Sequence, residues 1–208
     1  MRYERKYRVT GLSPSFILHE LMNNPSVFKT SYDDRIINSI YYDNATLKAY
    51  YENQQGISYR EKYRLRWYGE SLKFIQKPVI EKKVKINMLG FKEYMSIDDF
   101  NLETNLVNVD EEKPIRELGL YPVALVRYRR SYFESFDHNI RATIDQDLQY
   151  YIIQGHQLLK HAVNDRAIIV EIKYEEACHE LADACLQAIP FRLTKNSKYV
   201  SAVSSLMC

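Results

Sequence analysis

The chain has 208 residues, and its 29 Lys and Arg residues nearly balance its 27 Asp and Glu residues, so the formal charge is +2. This balance argues against a basic nucleic-acid arm and against an acidic tail. With 46% hydrophobic and 27% charged residues, the chain is typical of a globular protein with a sizeable core, and we predict one domain over residues 1–208.

Helix signals are few and lie mostly near the two ends of the chain. Ser13 and Pro14 are typical of an N-cap and a first helical residue, and they predict a helix that runs to Asn23. Further helices are predicted from Ala45 to about Asn53, from Glu111 to Leu118, from Glu175 to Ala188 and from Ser197 to Met207.

Between these helices lie strands in which charged side chains recur at every second residue. Because side chains alternate between the faces of a strand, one face of the segment from Tyr59 to Trp67 is basic throughout. Its residues are Arg60, Lys62, Arg64 and Arg66, and the segment from Ile80 to Ile86 repeats the pattern with Glu81, Lys83 and Lys85. The segments 2–8, 126–132, 141–145 and 169–174 alternate in a similar way.

The charge is also segregated along the chain. The segment from Tyr59 to Lys85 holds nine basic residues against three acidic ones, and the segment from Glu93 to Leu120 holds eight acidic against two basic ones. The acidic stretch 93–117 has two open interpretations: a solvated connection between elements, or a surface that binds a partner.

The basic strand faces suggest a fold. An ordinary antiparallel sheet with one solvated face explains any single strand. Like charges directly opposite one another on neighbouring strands repel, however, so a set of basic faces needs a shared polyanion. We therefore predict an α+β protein built on a closed antiparallel β-barrel, a tunnel with a basic lumen, whose apolar outer side is flanked by helices.

Convergent Arg and Lys side chains are typical of phosphate binding. By alternation, Glu171 and Glu4 are the inward carboxylates best placed for a metal ion, and Ser197 and Lys198 open a helix whose N-terminus favours phosphate. The chain has no G-x-x-x-x-G-K-[ST] motif and no G-x-G-x-x-G motif, which excludes a P-loop site.

Seven short motifs, in order, resemble those of one family. They are Glu4/Lys6, the R-x-K-x-R-x-R-x-Y-G run from Arg60 to Gly69, Glu81/Lys83/Lys85, Tyr128/Arg130, Arg141 within R-A-T-I-D, Glu171/Lys173, and Ser197–Tyr199. The chain is similar over nearly its whole length to the VTC-type polyphosphate polymerase domain of the triphosphate tunnel metalloenzyme superfamily, which also includes the CYTH-type triphosphatases and adenylate cyclases.

The resemblance implies transfer of the γ-phosphoryl group of ATP onto a growing polyphosphate chain, with Mn²⁺ or Mg²⁺. It implies that Glu171 holds the metal, and alternation adds Glu4. It further implies phosphate contacts from Lys6, Arg64, Arg66, Lys83, Arg130 and Lys198, with Tyr128, Arg141 and Ser197. Alternation places Lys62 and Lys85 toward the lumen as weaker candidates.

One departure favours the polymerase branch. The hydrolases and cyclases carry E-x-E-x-K near the N-terminus, whereas Arg2 stands at the first acidic position here. An inorganic or nucleoside triphosphatase and a non-catalytic polyphosphate-binding module are the alternatives. We expect a cytoplasmic location, ATP and polyphosphate as partners, no nucleic acid and no transmembrane segment. A membrane partner and the oligomeric state are open.

Overall fold

The computed structural model describes residues 2–87, 89–102, 115–154 and 157–207 of the chain. The fold is α+β, and in these residues antiparallel strands predominate over four α-helices. The strands are β1 (Arg2–Val9), β2 (Lys29–Asp43), β3 (Tyr59–Tyr68), β4 (Phe74–Ile75), β5 (Val79–Ile86), β6 (Leu89–Ser96), β7 (Phe100–Asn101), β8 (Tyr121–Glu134), β9 (Ile140–Gln154), β10 (Gln157–Asp165) and β11 (Ile168–Glu175). The helices are α1 (Pro14–Met22), α2 (Lys48–Gln55), α3 (His179–Gln187) and α4 (Lys198–Met207).

The first two predicted helices are present, with one shifted start. Ser13 caps α1 as predicted, since its Oγ accepts a hydrogen bond from the backbone N–H of Phe16 at 3.2 Å. Helix α2 begins at Lys48 instead of Ala45 because the carboxylate of Asp43 accepts the backbone N–H groups of Ala49 and Tyr50.

Two other helix predictions change. The predicted helix from Glu111 to Leu118 lies partly outside the described residues, and residues 115–119 form a turn. Helix α3 is shorter than predicted because Glu175 still belongs to β11 and a 3₁₀ turn, Glu176–Cys178, separates the two elements.

The chain forms two compact units, and β2, β8, β9 and the last residue of β10 are divided between them. The first unit comprises Met1–Arg35, Tyr128–Leu148 and Asp165–Asn196, and the second comprises Ile36–Arg127, Gln149–Asn164 and Ser197–Cys208. The single domain predicted from the sequence stays a prediction.

In the first unit the sheet has one polar and one apolar face. The strand order is β1-β11-β9-β8, and Lys6 lies opposite Glu171, which lies opposite Thr143. The next register positions carry the apolar side chains of Tyr7, Val170 and Ile144, which point to the other face. Helices α1 and α3 cover that face, and the resulting core includes Ile17, Leu21, Ile172, Ala182 and Cys185.

The second unit repeats this division with the order β2-β3-β5-β6. Its apolar face forms a separate core that includes Ile40, Leu65, Trp67, Ile75, Ile80 and Phe100. The expectation that helices cover the apolar side is wrong for the start of α4. There, the Tyr199 ring stacks on the ring of Tyr41, which lies opposite Arg64 on the polar face.

Two limits on the fold follow from the described residues. No strand pairing among them closes the sheet into a barrel, so closure stays a proposal. Within the same residues, no helix has the length and apolar character needed to cross a membrane.

Candidate functional site

The polar face of β3, β5 and β6 is dominated by positive charge. Residues opposite one another on antiparallel strands point to the same side of the sheet. The register pairs Arg60 with Lys85, Lys62 with Lys83, and Lys83 in turn with Lys92. We call this surface the basic face, and its charged residues are Arg60, Lys62, Arg64, Arg66, Glu81, Lys83, Lys85 and Lys92.

One carboxylate organises part of the basic face. Glu81 is buried, with 4% of its surface exposed. Arg64 donates to it through Nε at 2.8 Å, and Arg66 Nη1 and Lys92 Nζ lie 3.4 and 3.6 Å from its oxygens. Burial alone would raise the pKa of Glu81, but these three cations outweigh it and lower the pKa to about 2. Glu81 is therefore ionised at neutral pH and acts as an internal counter-ion.

Lys92 was missed in the sequence analysis. It falls between the basic and acidic segments of the chain, and only the register of β6 places it opposite Lys83. Burial lowers the pKa of Lys92, and the nearby Arg64 lowers it further, to about 8, although Glu81 opposes the change. The neutral form of Lys92 is therefore accessible close to physiological pH.

The first turn of α4 meets the basic face. Lys62 Nζ donates a hydrogen bond to Ser197 Oγ at 2.8 Å, so the predicted Ser197 lies beside a predicted cation. Lys198, the next residue, is only 9% exposed. The structure thus brings Lys62, Arg64, Arg66, Lys83, Lys85, Ser197 and Lys198 together in the second unit.

In the first unit, positive and negative charges alternate. Lys6 Nζ lies 3.4 Å from an oxygen of both Glu4 and Glu171, and Lys173 Nζ lies 3.5 and 2.8 Å from oxygens of the same two carboxylates. We call this surface the mixed face, and it comprises Glu4, Lys6, Arg130, Asp145, Glu171 and Lys173.

Arg130 is tied to carboxylates. Its Nε and Nη2 donate to the two oxygens of Asp145 at 2.5 and 2.6 Å, and Nη2 also lies 3.3 Å from Glu171 Oε2. Burial alone would lower the pKa of Arg130, but Asp145, Tyr128 and Glu171 raise it well above the ordinary value. Arg130 therefore holds Glu171 in place as well as being a predicted phosphate ligand.

Asp145 is the second residue that the sequence analysis missed. Its alternation with Arg141 and Thr143 placed it on the polar face, but no local pattern indicates its pairing with Arg130 on another strand. Arg141 itself is largely exposed and contacts Glu134 at 3.3 Å. Tyr128, a further predicted residue, is buried beneath the Arg130 guanidinium, 5.4 Å from its ring centre.

The mixed face has the donor chemistry for a divalent cation. Mg²⁺ and Mn²⁺ take carboxylate oxygens together with substrate phosphate oxygens, and Glu4 and Glu171 supply two adjacent carboxylates. Thr143 Oγ1, opposite Glu171 in the register, is buried without a hydrogen-bond partner in the described part of the chain. In those residues no group of three or more His, Cys, Asp or Glu side chains forms a metal site, so substrate oxygens would have to complete the ligand set.

The fold and the two charged faces define a class of protein: an α+β protein whose antiparallel sheet carries clustered charged side chains on its polar side. The VTC domain family matches residues 1–207, and the chain belongs to this family. No curated protein matches the chain.

Solved structures share the fold at low sequence identity. A Vibrio parahaemolyticus protein assigned as an adenylate cyclase is 16% identical, with a TM-score of 0.55 over 98% of this chain and 97% of that one. PH1819 from Pyrococcus horikoshii is 12% identical, with a TM-score of 0.54 over 99% of both chains. HpAC1 from Hippeastrum, described as having a dominant triphosphatase activity, is 15% identical, with a TM-score of 0.55 over 99% and 96%.

Proposed function

We propose that the protein is a polyphosphate polymerase that transfers the γ-phosphoryl group of ATP onto a growing polyphosphate chain. The observation that carries this proposal is the basic face, where, among the described residues, seven cations share one side of the sheet with the carboxylate of Glu81 and three of them contact it. Such an excess of positive charge is unfavourable unless an anion neutralises it, and a phosphate chain carries charge at the same close spacing. Membership of the VTC domain family supports the same assignment.

In the proposed reaction the residues position charge and make no covalent bond. A terminal oxygen of the polyphosphate chain attacks the γ-phosphorus of ATP, the bond from that phosphorus to the β–γ bridging oxygen breaks, and ADP leaves. Arg64, Arg66 and Lys83 would orient the phosphates and neutralise the charge on the leaving oxygen. Ser197 and Lys198 would bind the chain from the first turn of α4.

A divalent cation, Mn²⁺ or Mg²⁺, would be held by Glu171 and Glu4 and would neutralise phosphate charge when bound. Arg130 and Lys173 hold the Glu171 carboxylate in position through hydrogen bonds to Oε2. Residue 2 is an arginine that pairs with Glu175 at the surface, so it adds no carboxylate to the proposed metal ligands Glu171 and Glu4. Because Arg2 replaces the first acidic residue of the E-x-E-x-K pattern, the pair of Glu4 and Glu171 favours the polymerase assignment over a two-metal hydrolase.

We further propose that the strands close into a tunnel around the phosphate chain, which would exclude nucleic acid. The similarity to HpAC1 and to the other solved structures supports the antiparallel fold that such a tunnel requires. ATP and inorganic polyphosphate are the partners that this proposal names.

The test is incubation of the protein with γ-labelled ATP and Mn²⁺ or Mg²⁺, followed by separation of the products by size. We expect the label in long chains that remain after the protein has been denatured and removed. A polyphosphatase should degrade these chains. Label in free phosphate alone would contradict the polymerase and favour a triphosphatase, the activity named for HpAC1. Binding of polyphosphate without any turnover would instead favour a binding module.

A matched pair of variants connects the activity to the basic face. Arg66→Ala removes one buried cation there, and we expect at least a hundredfold loss of turnover with a smaller effect on stability. Arg129→Ala removes a cation that pairs with Asp147 at the exposed surface, and it should leave turnover unchanged. Equal losses in the two variants would contradict a specific role for the basic face.

A further inference from the structure

Tyr199 links the first turn of α4 to the rest of the second unit. Its ring is 1% exposed and stacks on Tyr41 with the ring centres 5.3 Å apart. Its hydroxyl donates a hydrogen bond of 2.5 Å to Asp43 Oδ2, and Lys62 Nζ lies 5.8 Å from its ring centre. Three contacts of different kinds therefore fix one side chain.

The acceptor, Asp43, is itself immobilised. Its carboxylate is buried, and Oδ1 accepts the backbone N–H groups of Asn44 and Ala49 at 2.8 and 3.0 Å. Oδ2 accepts the N–H of Tyr50 at 3.1 Å in addition to the Tyr199 hydroxyl. Because the first turn of α2 supplies the N–H groups of Ala49 and Tyr50, the carboxylate has a fixed position.

The hydroxyl of Tyr199 is always available as the donor. Burial raises the pKa of Tyr199, and its hydrogen bond to Asp43 raises it further. The Tyr199 hydroxyl therefore stays protonated and able to donate this hydrogen bond at physiological pH.

Tyr199 directly follows the two residues of α4 that are expected to contact phosphate. Ser197 accepts a hydrogen bond from Lys62, and Lys198 is held in a largely buried position. We propose that Tyr199 is a positioning residue, whose hydrogen bond to Asp43 sets the first turn of α4 and so orients Ser197, Lys198 and Lys62 toward the phosphate chain. This inference rests on the proposed function, since it concerns the same phosphate-binding site.

Removal of the hydroxyl alone tests the proposal. Tyr199→Phe keeps the ring that stacks on Tyr41, and we expect about a tenfold loss of affinity for triphosphate, measured by calorimetry well below the melting temperature. Tyr50→Phe is the matched control, because it removes a hydrogen bond to Ser204, which also joins α2 and α4 but lies farther along α4. It should lower the melting temperature without changing the affinity. Equal affinity losses in the two variants would overturn the proposal.

A double variant separates positioning from a general loss of stability. If Tyr199 acts through the first turn of α4, Tyr199→Phe should weaken binding far less when Lys198→Ala is already present. Losses of affinity that multiply independently would overturn this inference while leaving the proposed function intact. Absence of triphosphate binding by the unaltered protein would overturn the proposed function, and this inference with it.

Discussion

The mixed face and the basic face use similar residues in opposite ways. On the mixed face, Lys6 and Lys173 each lie between Glu4 and Glu171, so the charges compensate one another within the protein. On the basic face, one carboxylate faces several cations. The difference teaches that, among the described residues, acidic and basic side chains balance on the mixed face, whereas positive charge is in excess on the basic face.

The largest effect is expected from breaking the buried pair of the mixed face. Asp145 is fully buried against Arg130, and Asp145→Ala would remove the two short hydrogen bonds of that buried cation and leave it the longer contact with Glu171 at 3.3 Å. We expect a loss of about 3–5 kcal/mol in the free energy of unfolding, measured by denaturant titration. Added triphosphate should not restore the free energy of unfolding, because the lost interaction is an ion pair within the mixed face.

Asp147→Asn is the control for this variant, two residues along the same strand. Asp147 has a φ of 55°, which Asn tolerates, and it pairs with Arg129 at the surface, where its side chain is 62% exposed, so the change should cost less than about 1 kcal/mol. Similar losses for the two variants would contradict the view that the mixed face is a buried, self-compensated network.

The next effect concerns the internal counter-ion of the basic face. The pKa of Glu81 is about 2 against an ordinary 4.5, so its ionised form stabilises the fold above pH 4.5 by about 3 kcal/mol, and this contribution is lost as the pH falls toward 2. Glu81→Gln should therefore lower the melting temperature at pH 7. Triphosphate should recover most of the loss, and a variant that triphosphate does not rescue would contradict the proposed role of the basic face.

The smallest effect is a change in pH dependence. Because the pKa of Lys92 is about 8, its positive charge is lost as the pH rises from 7 to 9, and triphosphate binding should weaken by about tenfold from this residue. Lys92→Arg keeps a permanent charge and should show a flatter pH profile in calorimetry. Titration of the triphosphate itself affects the unaltered protein and Lys92→Arg equally. Identical pH profiles of affinity for the two proteins would therefore contradict a contribution from Lys92.

The sequence predicts which side chains share a face of one strand, but it does not predict which strands are neighbours or which residues pair across them. Period-two alternation was sufficient to place Arg64, Arg66 and Lys83 on one face, because the faces of a strand depend on local geometry. Lys92 and Asp145 depend on register and on contacts between strands, which no single segment encodes. The start of α4 was expected at the phosphate site, but its hydrogen bond from Tyr199 to Asp43 was not predicted, because Asp43 lies in a distant part of the chain.

The most direct measurement is a crystal structure of the protein with triphosphate bound. The account predicts phosphate oxygens within about 2.7–3.2 Å of Arg64, Arg66 and Lys83, with the Glu81 carboxylate no longer the main partner of those guanidinium groups. A triphosphate bound elsewhere, with the basic face unchanged around Glu81, would contradict it.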